Sequence, residues 1–133
     1  MTLKVDVSAG EFLDKITILE IKSERIKDEE KLRNVHKELD LLRKTWVESP
    51  LSRFDVSTVV GNLKRVNESL WDIEDRVRLK EAAQTFDDEF VRLARSVYQI
   101  NDQRAAIKRE LNRFLGSELM EEKSYPDYSP PSI

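Results

Sequence analysis

The sequence has no cysteine, a single histidine and, in 133 residues, only three glycines and four prolines. Without cysteine there is no disulfide scaffold, no thiolate-held zinc or iron–sulfur cluster and no cysteine nucleophile. One histidine, His36, argues against a histidine-rich metal site or a Ser-His-Asp triad, so neither a metal nor a cofactor is expected. So few turn formers argue against a sandwich or barrel, which needs many Gly- and Pro-rich turns. No apolar run approaches the ~20 residues that cross a bilayer. Met1–Gly10 has no apolar stretch after Lys4 of the kind a signal peptide needs, so a cytoplasmic protein away from membranes is expected. The net charge of −3 gives no general attraction to nucleic acid or anionic lipid. Arg92, Arg95, Lys108, Arg109 and Arg113 form no unbroken strip either, so a nucleic-acid partner is not expected.

What the chain does have is charge, 37% of its residues, beside a hydrophobic share of 39%. That mixture suits long amphipathic helices in one domain. Thr2–Val7 alternates polar and apolar, the pattern of a short strand, either a docked arm or a strand paired across a dimer. Ser8-Ala9-Gly10-Glu11 then forms a capping box. No Pro or Gly follows Gly10 before Pro50, which predicts one helix over 10–47. Pro50–Asp55 is a connection, and Asp55 or Ser57 caps a second helix over 57–83. Asp87-Asp88-Glu89 places negative charge at the start of a third helix, 88–115, which Gly116 closes in the left-handed position. The expected fold is all-α, a three-helix antiparallel bundle with one very long N-terminal helix. Residues 1–125 form the domain and 126–133 a flexible tail, frayed at Ser129-Pro130-Pro131-Ser132.

Two of the helices carry clean coiled-coil-like seams. The second has Val59, Leu63, Val66, Leu70, Ile73 and Val77. The third has Phe90, Leu93, Val97, Ile100, Ile107, Leu111 and Phe114, with Arg104 where an apolar residue belongs. The first helix has two seams out of phase. Phe12, Leu13, Ile16, Leu19 and Ile26 share one side, with Ile18 and Ile21 nearly opposite. Leu32, Val35, Leu39, Leu42 and Trp46 follow, turned by more than a quarter revolution across Lys27–Lys31. An N-terminal half apolar nearly all round predicts a central position. At 1.5 Å per residue the 38-residue helix would span roughly 57 Å against about 40 Å for the others. One protomer cannot cover it, which predicts a homodimer.

Polar residues interrupt the apolar faces in all three helices. Glu20 lies between Leu13 and Ile16. Asn67, Trp71, Glu74 and Arg78 form a strip on the second helix, and Asn101, Arg104 and Lys108 one on the third. Charges withdrawn from water need partners, so Arg104 is expected to face Glu20 or Glu74. The cluster is either a sealed network that fixes register and partner choice or a pocket. In the pocket, Asn67, Arg78, Arg104 and Lys108 would hold a small anion. Glu68, Asp72 and Asp75 share a face opposite the seam and belong to solvent rather than to magnesium. Glu11 with Asp14, and Glu20 with Glu24, carry no distinguishing pattern. His36 suits a surface or interface position, and Trp46 and Trp71 suit packing anchors. The sequence leaves open whether Tyr125 and Tyr128 fold back onto a helix, and it assigns no catalytic residue.

Three stretches carry a resemblance: Gly10–Lys22 (GEFLDKITILEIK), Val66–Asp75 (VNESLWDIED), and Leu93–Tyr98 (LARSVY) with Asn101, Asp102 and Arg104. Together with Glu121–Tyr125 they resemble a family of small uncharacterised helical proteins, a domain of unknown function found in bacteria and marine phages. The resemblance spans nearly the whole chain and implies no activity, cofactor or catalytic residue. A more distant likeness, at the level of architecture alone, is to the all-helical chorismate mutase type, whose pattern of basic residues is not matched. Two functions are therefore expected from different classes. The first is a non-enzymatic helical interaction module acting as a homodimer. The alternative is a binding protein or small enzyme for an anionic metabolite.

Overall fold

The computed structural model describes residues 1–128. Four helices follow one another: α1 (Ala9–Arg25), α2 (Glu29–Glu48), α3 (Ser57–Ala82) and α4 (Asp88–Phe114), with a 3-10 turn at Pro50–Arg53. Three of the starts are capped by side chains. Ser8 Oγ accepts from the Glu11 N–H at 3.1 Å, Asp28 Oδ1 from Lys31 at 3.0 Å, and Asp87 Oδ1 from Phe90 at 2.9 Å. At α3 the position belongs to Val56, which has no such bond, and Asp55 takes the Ser57 N–H instead. α3 and α4 end alike. Gln84 (φ 52°) and Gly116 (φ 63°) adopt the left-handed conformation. The next N–H groups, of Thr85 and Ser117, then reach back to the carbonyls of Lys80 and Asn112 at 3.0 and 2.8 Å.

The long helix expected over 10–47 is in fact two helices, so the bundle has four helices and not three. The break falls at Ile26, whose backbone is extended (φ −75°, ψ 134°), just where the apolar seam changes phase. Asp28 caps α2, and Glu29 and Glu30 place negative charge in its first turn. One straight helix would have turned one of the two seams away from its neighbour. The break lets α2 fold back along α1, so that Phe12 stacks on Trp46 with ring centroids 6.3 Å apart and Lys15 pairs with Glu38 at 3.0 Å. At 1.5 Å per residue α1 spans only about 26 Å and α2 about 30 Å, shorter than α3 and α4. The length argument for a second copy falls with the long helix, as does the outline likeness to chorismate mutases. The strand over Thr2–Val7 is also absent: that segment is irregular and exposed, with Leu3 92% and Val5 77% accessible. A strand needs a partner, and the described residues offer none. The end Ser129–Ser132, expected to fray, lies outside the described residues.

α1 is the hub, as its apolar circumference predicts. Its backbone packs closely against α2, α3 and α4, whereas the backbone of α2 lies close to neither α3 nor α4. Leu13, Ile16 and Leu19 of α1 meet Val35 and Leu39 of α2, Leu63 of α3, and Leu111 and Leu115 at the end of α4. Leu63 and Leu111 are fully enclosed, each contributing roughly 2–3 kcal/mol by burial. Gly10 sets how closely α1 meets α4, because a Cβ there would stand 2.4 Å from the Lys108 carbonyl oxygen. Its N–H donates to Asn112 Oδ1 at 2.6 Å. α1 runs alongside α3 as far as Arg25, whose guanidinium pairs with Asp72 at 2.5 Å. Past that point α3 continues through residues 73–82 and turns back into α4, so the tip of this two-helix hairpin extends beyond the end of α1.

Candidate functional site

The polar centre is built around Asp14, which is 1% exposed. α1 places it one turn before Ile18, on the side that faces α3 and α4. Arg104 grips it with a two-pronged fork: Nε donates to Oδ1 at 2.9 Å and Nη2 to Oδ2 at 2.5 Å. Asn67 Nδ2 donates to the same Oδ1 and to Thr17 Oγ1, each at 2.9 Å, and the Thr17 hydroxyl donates to the Asp14 carbonyl at 2.7 Å. Three helices thus meet on one carboxylate, and the Asp14 hydrogen bond raises the Arg104 pKa above its usual value. No buried side-chain polar atom among the described residues lacks a partner. Asp14 itself is sealed from water, while the Arg104 side chain stays 28% exposed.

One turn further along α4, Lys108 Nζ lies between Glu11 Oε2 at 2.6 Å and Glu121 Oε2 at 2.8 Å. Burial pulls the Lys108 pKa down, and the two carboxylates more than offset it, so the group titrates above its usual value. Glu121 also pairs with Lys123 at 2.8 Å. Lys108 and then Lys123 hold the Glu121 carboxyl down at about 2. These bonds, with Arg109 on Glu122 at 2.9 Å, strap the irregular segment after Gly116 onto α4.

Two grooves open from Arg104. One, of about 440 Å³, is bordered by Ile18 and Ile21 of α1, Trp71, Glu74 and Arg78 of α3, and Asn101 of α4. The other, of about 540 Å³, lies between α4 and the strapped tail. Tyr98, Tyr125 and Tyr128, the only tyrosines in the chain, all border it.

Of the eight residues picked from the sequence, Asn67, Arg104 and Lys108 join the buried ion-pair system. Trp71, Glu74, Arg78 and Asn101 border the neighbouring groove. Glu20 stands apart, on the side of α1 that meets Arg43 at 3.7 Å and Lys64 at 3.8 Å. Arg104 therefore pairs with neither Glu20 nor Glu74: Glu74 borders the same groove but pairs along its own helix with Arg78 at 3.8 Å. The reason lies in the rotation of α1: the Leu13–Ile16–Leu19 side packs into the apolar core, and the opposite stripe turns to Arg104. Asp14 and Glu11, discounted as ordinary charges, are the actual partners, and Thr17, Asn112 and Glu121 were missed with them. A signal was present, since Asp14, Ile18 and Ile21 share one stripe and Thr17 flanks it. The capping box is half formed, because Glu11 reaches Lys108 rather than back to Ser8.

The chain belongs to DUF6165, a family of unknown function whose model matches residues 3–132. No curated protein and no solved structure matches it. No helix among the described residues is long and apolar enough to cross a membrane.

Proposed function

We propose that this member of the family is a helical interaction module that works by pairing with a second copy of itself through the α3–α4 hairpin. One observation carries the reading: the apolar seam of that hairpin outruns its cover. Where α1 lies over it, Leu63 and Leu111 are fully enclosed. Further out the same seam supplies Ile73, Val77 and Phe90, which are only half-buried, and off the seam Leu79 (70%), Phe86 (55%) and Val91 (50%) add exposed apolar surface around the tip. A second hairpin of the same length and spacing, set antiparallel across a two-fold axis, supplies the missing helices and receives the same cover in return.

Electrostatics allow the approach. Over residues 73–95 the charges nearly cancel, five basic against six acidic. Around the tip, Lys80 is tied to Asp87 at 2.8 Å and to Glu89 at 3.2 Å, and Arg76 to Glu89 at 2.8 Å. Two such tips meet without strong like-charge repulsion. The surface offered is confined to one hairpin tip, and so small a contact suits a weak, transient dimer.

The alternative, an anionic metabolite at the polar cluster, has less support, because Arg104 and Lys108 are already paired with the chain's own carboxylates. An anion there would have to displace Asp14 or Glu121. The test is an NMR dilution series. Concentration-dependent amide shifts confined to residues 73–95 support the proposal. Spectra that do not change between ten micromolar and one millimolar (a range on either side of the expected dissociation constant) overturn it.

A further inference from the structure

The groove between α4 and the tail has a charge pattern that differs from the rest of the polar centre. Its cations are spoken for: Arg104 holds Asp14, and Lys108 and Lys123 share Glu121. Asp102, at the other end of the groove, makes no ion pair among the described residues. Its Oδ2 accepts a 2.5 Å hydrogen bond from the Tyr128 hydroxyl. Around it stand tyrosine rings. Tyr128 meets Tyr98 edge to face with centroids 4.9 Å apart, and Tyr125 borders the same cavity. Lys123 Nζ lies 5.9 Å from the Tyr125 ring centroid, so a cation already sits against one of these π-faces.

We infer that this groove binds a small organic cation bearing an alkylated ammonium group. The ammonium lies against the outer side of the paired Tyr98 and Tyr128 rings, which touch each other directly, with Asp102 as its counter-charge. Aromatic faces attract a cation through their quadrupole, and the weak hydration of an alkylated ammonium makes it easier to desolvate than a primary amine. A carboxylate at the edge of the rings adds the charge that selects a cation over a neutral molecule. The volume of about 540 Å³ lies within the range of small-molecule sites. Val97 and Ala105 supply an apolar floor for the remainder of the ligand. The hydroxyl of Tyr128 keeps its proton throughout the neutral range, because its bond to Asp102 raises the pKa to about 12. The proposal does not depend on self-association, since the tail groove lies away from the hairpin tip.

The experiment is a titration of the full chain with tetramethylammonium chloride, followed by amide and tyrosine-ring NMR signals, with sodium chloride as the matched control. The expected result is a saturable shift confined to α4 residues 97–105 and the three tyrosines. Asp102→Asn keeps an acceptor for Tyr128 and lies on the surface, so it should fold normally. In it the dissociation constant should rise at least tenfold. Tyr98→Ala should abolish saturation. The inference is overturned if sodium chloride produces the same shifts, or if Asp102→Asn binds as tightly as the parent. It is equally overturned if benzoate saturates the groove and tetramethylammonium does not, which would make this an anion site.

Discussion

Replacing Arg104 by alanine is the sharpest perturbation of the polar centre, because the two ends of the Asp14–Arg104 pair differ in their access to water. Asp14 is 1% exposed, whereas the Arg104 side chain is 28% exposed and borders two grooves. Arg104→Ala strands a carboxylate that water cannot reach and that keeps, of its three bonds, only the one from Asn67. Breaking a buried pair in this way costs roughly 3–5 kcal/mol. For a domain of this size that lowers Tm by about 10–20 °C. Asp14→Ala is milder: the guanidinium turns to solvent through the grooves, and Asn67 retains Thr17. Its cost should be roughly 1–2 kcal/mol. The double variant Asp14→Ala/Arg104→Ala removes the stranded charge and should be more stable than Arg104→Ala alone, a coupling of about 2 kcal/mol. Urea and thermal denaturation followed by circular dichroism at 222 nm measure all three (the helix signal). The reasoning is refuted if Arg104→Ala costs less than about 1 kcal/mol, or if Asp14→Ala is the more damaging single change.

Three further outcomes follow from other parts of the fold. Gly10→Ala should destabilise by roughly 1–3 kcal/mol despite alanine's higher helix propensity, since the new Cβ meets the backbone of α4; chemical denaturation reads the sign directly. Gln84→Gly should stabilise by about 0.5–1 kcal/mol, because a non-glycine residue now holds the left-handed position that ends α3. The same change at an exposed right-handed helix position, such as Gln99, should lose stability. Glu121 contributes stability that is full above its ordinary carboxylate pKa of 4.5, because its folded value is about 2. That contribution disappears as pH falls from about 5 to about 2. Glu121→Gln should therefore lower Tm at pH 7 and converge with the parent near pH 2; a gap that stays constant across that range would contradict the assignment.

The all-helical class, the bounds of α3 and α4 and the left-handed Gly116 were legible because each rests on local chemistry. Seam periodicity, the acidic start at Asp87-Asp88-Glu89 and glycine after the last turn are all read within a few residues. The break at Ile26 was hidden because neither Gly nor Pro marks it. Its one trace in the sequence is the change of seam phase across Lys27–Lys31, which a single helix with two apolar faces would show equally. Half of the site was visible for a related reason. Arg104 and Asn67 interrupt seams that are otherwise apolar, so they stand out against their own helices. Asp14 does not, since α1 is apolar around most of its circumference and the stripe facing α3 and α4 cannot be told from the one facing the core. Glu20 sat on the more regular stripe and was preferred. Glu121 lies in a segment with no periodicity, and only the tertiary approach of the tail to Lys108 gives it a partner.

Self-association through the hairpin is most directly tested by sedimentation equilibrium on the parent chain and on Leu79→Asp/Val91→Asp. These two substitutions change side chains already exposed in the single copy. The parent should pass from 15.6 kDa toward twice that mass as concentration rises through the micromolar range, while the variant keeps its helicity and stays at 15.6 kDa. A parent that remains at 15.6 kDa up to millimolar concentration, or a variant that dimerises as readily as the parent, would contradict the account.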